Sequence, residues 1–440
     1  MQSSTDQLGL LNHLQKKILI TLGLLAVFRI GVHIPIPGVD TVALRQFFAN
    51  QGGNLLSMFN MFSGGALERF SIFALGVMPY ISASIVSQML TVMVPRLEAL
   101  SKEGAAGRKK ISQYTRYATI ALAAVQGLMI ARTLQNSDFN GVPLVADGGL
   151  WWITLTVLAL VAGTAFVMWL GEQITEKGVG NGISLIIFAG IVAGLPAVVG
   201  NTYSQYTNQQ LDLLRITVII AMCVVVVAGV VFMESGSRQV PIRYAKRQVG
   251  GRVMAGQQSH LPLRVNASGV IPPIFASSIL QFPLTIAAFS PESSVAEMIS
   301  TYMIPGEWLY NTVYVIGVIF FAFFYTRIVF KTDDVAENLK RNGGFIPGIR
   351  PGVRTSEYLS KLVDRLTMSG AIYLAIVCIL PTVFTGQFNV QFYFGGTSLL
   401  IAVGVALETF RQIEAHRQSL RYEAFMKNTR QEKKRRLTIR

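Results

Sequence analysis

Long apolar runs with almost no charge recur along this chain, and no soluble fold can bury so many of them. A helix that crosses the hydrocarbon core of a bilayer needs about 20 apolar residues. Ten segments approach or exceed that length, near 18–34, 70–94, 114–133, 150–170, 182–200, 214–234, 267–289, 308–330, 366–386 and 393–413. The fifth is the weakest, because it opens on GVGNGIS and carries Gly190, Gly194 and Gly200. Charged residues make up 14% of the chain, against about 25% in soluble domains. The expected class is an all-α integral membrane protein with ten transmembrane helices.

One apolar stretch does not fit the pattern. Asn54 to Phe62 is apolar through Leu55, Leu56, Met58, Phe59, Met61 and Phe62, yet too short to cross. Gly52-Gly53 and Gly64-Gly65 bracket it, where a chain can turn sharply. Backbone at lipid depth that does not span is tolerated only inside protein or beside a water-filled cavity. The segment is therefore a candidate pore element, folded back at the mouth of the span 70–94. No charge lies between Gly52 and Leu67, which separates it from interfacial helices with a charged face.

The placement of Lys and Arg orients the chain. On one side fall Lys16, Lys17, Arg96, Lys102, Arg108, Lys109, Lys110 and Lys177. The long loops 235–266 and 331–365 and the tail 414–440 are basic on that same side. The opposite connections hold Arg45 and Arg69, and 134–149, 201–213, 290–306 and 387–392 hold neither Lys nor Arg. Both termini are expected in the cytoplasm. The two long loops exceed what connection needs, and the second wraps Gly-Pro turns around Arg350, so a docking surface for a cytoplasmic partner is expected there.

Several chemistries are disfavoured. Cys223 and Cys378 sit inside apolar runs and are expected to be inert buried thiols, and His13, His33, His260 and His416 share no metal-ligand spacing. GVGNG at 178–182 runs into an apolar span without the Lys-Ser or Lys-Thr of a nucleotide-binding loop. No nucleophile-base pair stands out, so an enzyme is not expected. Met1 to Gly9 is polar and no small-residue cleavage site follows the first apolar run, so no cleavable leader is expected. A secondary transporter needs ionisable groups at mid-membrane depth, whereas Arg29, Arg132, Glu234 and Arg327 lie towards span ends and Glu408 is the one acid well inside a span. A non-transporting scaffold would not need the glycine-bracketed segment.

The motifs IPIPGVD, NMFSGGALERFSIFALGVMPYISASIVSQML, KEGAAGRKKISQYTRY, WLGEQITEKGVGNGISLIIFAGI, YAKRQVGGRV with HLPLRVN, GVIPPIFASSI, GFIPGIRPG and FYFGGTSLLI occur in this order. In them the chain resembles the SecY family, the channel-forming subunits of the bacterial Sec protein translocon. The resemblance implies a polypeptide-conducting pore between two inverted five-helix halves, 18–200 and 201–413, after a cytoplasmic N-terminus 1–17. It implies a plug within 54–65 made by Asn54, Leu55, Leu56, Met58, Phe59, Met61 and Phe62. It implies a pore ring of Val77, Ile81, Ile183, Ile187, Ile274 and Ile401, all β-branched and stiff at χ1. An apolar constriction dewets when empty and offers a passing chain no hydrogen-bonding partner.

The same resemblance implies a lateral gate that opens to lipid between spans two and three on one side and seven and eight on the other. Its polar groups are Ser82, Ser84, Ser87 and Gln88, with Gln126, and Ser277, Ser278 and Gln281. Such interhelical contacts are worth only about 0.6–2 kcal/mol each, weak enough for a hydrophobic signal segment to part them. Asn181 is expected to be the most buried polar side chain of the pore wall. Docking of the SecA motor or the ribosome, with a possible ribosomal-RNA contact, is implied at Arg243, Lys246, Arg247, Arg252 and Arg350. Small membrane subunits SecE and SecG, signal peptides, unfolded polypeptides and the lipid bilayer are the other implied partners, with no cofactor, in the bacterial plasma membrane.

Overall fold

The computed structural model describes residues 2–50, 60, 63–136, 138–139, 142–145, 148–208, 212–244, 247–249, 252–254, 258–289, 303, 307–388 and 396–438. The chain is mostly helical. Its helices are α1 (Gln2–Gly31), α2 (Thr41–Asn50), α3 (Met78–Met93), α4 (Pro95–Lys102), α5 (Ala105–Gln135), α6 (Leu150–Lys177) and α7 (Gly182–Thr207). They continue as α8 (Leu213–Ser235), α9 (Ile271–Phe289), α10 (Trp308–Val329), α11 (Thr332–Arg341), α12 (Val353–Phe388) and α13 (Gly396–Thr438). Among the described residues six helices are long and apolar enough to cross a membrane, or seven if the bent pair α3–α4 is one span. Ten are not reached on this criterion: the apolar described part of α9 is only Ile271–Leu280, and α1 carries Lys16, Lys17 and Arg29 around its apolar run.

Two compact units divide the chain: Met1–Ser204 with Ala288–Pro291 and Val405–Arg440, and Gln205–Ala287 with Glu292–Gly404. In the first, α5 packs along α6 and α3 along α5. A core of Ile36, Leu44, Leu67, Phe70, Leu75, Leu144, Trp152 and Leu160 sits beside them. Arg116 Nε donates to Glu172 Oε1 at 2.8 Å across α5 and α6; half-exposed, this pair adds little stability. At Val94 the backbone is extended (φ −103°, ψ 113°), as a residue before proline prefers, and the axes of α3 and α4 differ by 98°.

Span two departs from its expected bounds of 70–94, since no helix forms before Met78. From Ser63 to Val77 the chain runs through successive turns. Two features stop a helix there. Residues 70–72 use their backbone polar groups elsewhere: Ile36 N donates to Phe70 O (2.9 Å) and Ile72 N to Ile34 O (3.1 Å), an antiparallel bridge centred on Pro35 and Ser71. Gly76 then takes a positive φ of 55°, and Pro79 in the first turn of α3 starts the helix proper.

In the second unit α10 packs along α12, and Tyr314 OH donates to buried Cys378 Sγ at 3.6 Å. Cys378 matches the expected buried thiol, whereas Cys223 is only half-buried. The loops expected at 235–266 and 331–365 are not independent. β3 (Ser237–Tyr244) pairs antiparallel with β6 (Gln258–Arg264) and, at Arg243↔Phe345 and Tyr244↔Gly344, with β7 (Gly344–Phe345). Val240, Leu263, Ile346, Leu359 and Val363 form a separate apolar cluster that joins this sheet to the start of α12. β1 (Asp138–Phe139) with β2 (Val142–Pro143) and β4 (Arg247–Val249) with β5 (Arg252–Met254) are small hairpins. β3 tolerates Pro241 because β7 covers only Arg243 and Tyr244, leaving an edge at the proline.

Candidate functional site

The short apolar segment carrying Asn54, Leu55, Leu56, Met58, Phe59, Met61 and Phe62 lies outside the described residues, but the chain on its C-terminal side is well defined. Asn60 organises it. Its Oδ1 accepts from Glu68 N (2.9 Å), its Nδ2 donates to Glu68 Oε2 (3.2 Å), and its carbonyl accepts from Ser63 Oγ and Gly65 N. Arg29 Nη1, from α1, donates to Gly64 O at 3.1 Å. Gly64 has φ +70°, and a Cβ there would stand 2.7 Å from Gly190 Cα, so α7 approaches this turn backbone to backbone.

Below that turn, Ser63–Val77 is an irregular strap buried in protein. Phe73 stacks on Phe28 and Phe166 at ring separations of 5.9 Å each, and Phe70 on Trp152 at 6.3 Å. Phe70 holds φ +46°, a strained value for a non-glycine residue, costing about 1–2 kcal/mol. Its complete burial and its carbonyl bond to Ile36 keep it there. Gly163 admits the strap, because a side chain there would run into the Ile72 carbonyl. Non-helical backbone of this kind exists in membrane proteins only where protein or a cavity surrounds it.

Each expected ring residue has a defined place within its own unit. Val77 is the residue before α3 rather than part of it, but Ile81 N bonds to Val77 O (3.0 Å), so the pair keeps its helical spacing. Both are buried, as is Ile187, while Ile183 is half-buried against Gly171 of α6. In the other unit Ile274 and Ile401 are buried. A Cβ on Gly404 would stand 2.5 Å from Val270, so α13 presses on the chain just before α9, the two elements that carry Ile401 and Ile274. Asn181 corrects the expectation of a buried pore-wall amide. It is exposed and accepts from Ile183 N (3.2 Å), an ordinary helix N-cap whose small polar residue satisfies the first free donors of α7.

Of the expected gate residues, Ser82 and Ser278 are buried and Ser87 and Gln88 half-buried. Ser277 Oγ returns to Ile274 O (2.9 Å) and Ser84 Oγ to Ile81 O (2.9 Å), spending their donors inside their own helices. Gln126 Oε1 and Ser278 Oγ are buried without a partner among the described residues, a costly state for polar atoms. The side chain of Gln281 lies outside the described residues.

Arg243 is exposed on β3, beside Phe345 of β7. Arg350 is exposed at the tip of the turn 346–352, whose backbone is fixed by Ile349 N to Ile346 O (3.0 Å) and Thr355 Oγ1 to Arg350 O (3.0 Å). One small sheet therefore anchors both arginines. Lys246 lies outside the described residues, and of Arg247 and Arg252 only the backbone of the β4–β5 hairpin is defined. Sequence reasoning missed the buried Glu234–Asn266 pair and the bridge between Pro35 and Ser71, both made between residues far apart in the chain.

Several apolar spans, a buried non-helical strap and a polar module carrying exposed arginines define a multi-pass membrane protein of the channel-forming class. The chain belongs to the SecY family: that family's model, described as SecY, matches residues 71–410. The protein translocase subunits SecY of Vibrio cholerae serotype O1 and of Escherichia coli K12 are each 49% identical over 423 residues, covering 95% of both chains. Among solved structures, one described as a protein conducting channel superposes with a TM-score of 0.66 at 15% identity, over 92% of this chain and 93% of that one. A structure concerned with the plug domain of the SecY protein gives 0.64 at 15% identity, over the same shares of each chain. Sec61 in a canine ribosome–channel complex gives 0.59 at 15% identity, again over 92% and 93%.

Proposed function

We infer that this chain is the channel-forming subunit of a protein translocase, which passes unfolded secretory polypeptides across a membrane and releases hydrophobic segments sideways into lipid. The observation that carries the reading is the match along 95% of the chain to curated relatives, themselves protein translocase subunits. The buried strap Ser63–Val77, ending at Val77 and Ile81, supports it from the geometry. In this reading the spans number ten, in two inverted halves 18–200 and 201–413, with both termini in the cytoplasm of a bacterium and the channel in its plasma membrane. Residues 54–65 close the pore, and Val77, Ile81, Ile183, Ile187, Ile274 and Ile401 ring it. Ser82, Ser87, Gln88, Gln126, Ser278 and Gln281 line the lateral exit.

The family performs no catalysis, so the driving force comes from outside the chain. Arg243 on β3 and Arg350 in the turn after β7, together with Lys246, Arg247 and Arg252 shortly after β3 in the sequence, suit an acidic partner, and the motor SecA is the first candidate. The canine relative in its ribosome complex supports the ribosome as an alternative occupant. SecE and SecG are the expected small subunits. The reading is tested by replacing Ile81, Ile187, Ile274 and Ile401 together with serine in proteoliposomes. Loss of an apolar, dewetted constriction raises resting ion conductance. Conductance equal to the unaltered channel removes the ring assignment.

A further inference from the structure

The hairpin β3–β6 leaves α8 and returns into α9, and its two feet are stapled together by one buried polar cluster. Val265 N donates to Gly236 O at 3.0 Å, closing the base of the hairpin. The next residue, Asn266, is only 3% exposed. Its Nδ2 donates to Glu234 Oε1 (2.5 Å) at the end of α8 and to Gly269 O (3.0 Å) at the turn into α9. Its Oδ1 accepts from the buried Ser268 hydroxyl (3.0 Å). Both amide donors and an acceptor lone pair are therefore occupied. From the other side Gly370 of α12 presses on this backbone, where a Cβ would stand 3.0 Å from Val265 O and 3.4 Å from Asn266 Cα.

Such a cluster is stiff. Buried hydrogen bonds at low dielectric are stronger than in water and reinforce one another, and breaking one strands its partner. Asn266 is also the point where the sheet that anchors Arg243 meets the short turn into α9, the helix of Ile274 and Ser278. We propose that Asn266, held by Glu234, is a positioning residue that ties the hairpin rigidly to α9. Load applied by a partner docked on the hairpin then reaches the helix of the ring and gate instead of being lost in a slack joint. This rests on the docking and ring assignments under Proposed function.

The test uses the purified channel complex in proteoliposomes with SecA and a secretory preprotein. Variants are Asn266→Ala, Glu234→Met and the double variant. Two quantities are read: the affinity of the motor for the channel, and the preprotein translocated per ATP hydrolysed. With the joint slack, affinity stays within about twofold of the parent. Yield per ATP falls roughly tenfold in Asn266→Ala, which loses all three Asn266 bonds, and roughly threefold in Glu234→Met, which loses the one from Asn266 Nδ2. Because the two residues share a bond within one cluster, the double variant falls by less than the product of the two single effects.

A merely structural role lowers affinity and yield together, and that result overturns the proposal, as does an unchanged yield per ATP. If Asn266→Ala does not assemble, Glu234→Met, close to Glu in volume but without an acceptor oxygen, carries the test alone: its yield per ATP at the parent value overturns the proposal. A parent channel that neither binds the motor nor translocates overturns the docking reading itself, and this inference with it.

Discussion

Two regions of this protein abandon the long helix, and they do so for opposite reasons. The strap Ser63–Val77 is irregular backbone wedged inside the helices of its unit, with no core of its own. Its Phe70 carbonyl and Ile72 N–H are satisfied by Ile36 and Ile34, its rings pack on Phe28, Trp152 and Phe166, and its passage depends on the missing side chain of Gly163. The module built from β3, β6, β7, α11 and the start of α12 instead carries a cluster of its own around Leu359 and Val240. It resembles a small soluble domain inserted between spans. One region borrows its stability from the membrane helices and the other supplies its own, so damage should spread from the first and stay confined in the second.

The largest expected effect tests confinement. Leu359 is fully buried in the module cluster, and Leu359→Ala should remove about 4 kcal/mol locally, within the usual range for a buried leucine. Limited proteolysis should then cut within 237–264 at concentrations that leave the parent whole, while the spans stay protected and the thermal midpoint of the membrane part moves little. A single cooperative loss of both would show that the module is not a separate unit.

Gly163→Ala tests the spread. The added methyl meets the Ile72 carbonyl, and since that carbonyl belongs to backbone already bridged to Ile34–Ile36, it cannot step aside alone. A cost of about 3 kcal/mol is expected, typical of overpacking in a tight interior, read as a lower thermal midpoint for the detergent-solubilised complex. A local effect confined to protease access near 63–77 would place the strap with the module rather than apart from it.

How far these regions were legible in sequence follows from the same contrast. Period-two burial at Val240 and Ile242 on one strand and Leu261 and Leu263 on the other is a strand signal carried by adjacent residues, legible within the basic stretch 235–266. The strap gives no such signal. Residues 70–94 have the length and apolarity of a span, and what prevents the helix is a bridge to Pro35, made by residues far back in the chain. Gly76 and Pro79 were the local hints that a helix begins late. For the candidate site, the four-residue spacing of Val77 with Ile81 and Ile183 with Ile187 was visible, but any β-branched pair in a span looks alike, so their role came only from the family. Asn181, just ahead of an apolar helix, carries the signature of an N-cap, and that role accounts for its exposure better than a place in the pore wall.

The smallest effect isolates a single tether of the borrowed region. Trp152 Nε1 donates to Pro37 O at 3.1 Å, and its ring covers Phe70, where the strap holds its strained φ. Trp152→Phe keeps an aromatic face against Phe70 and deletes the donor. The net loss of one such hydrogen bond is about 1 kcal/mol, a shift of a few degrees or less in thermal midpoint for a protein of this size. If the strap is held by many shared contacts, the shift stays that small, and Trp152→Ala, which also removes the ring, costs several times more. A Trp152→Phe loss as large as that of Trp152→Ala would mean that the Pro37 tether, and not the packing of Phe70, keeps the strap in place.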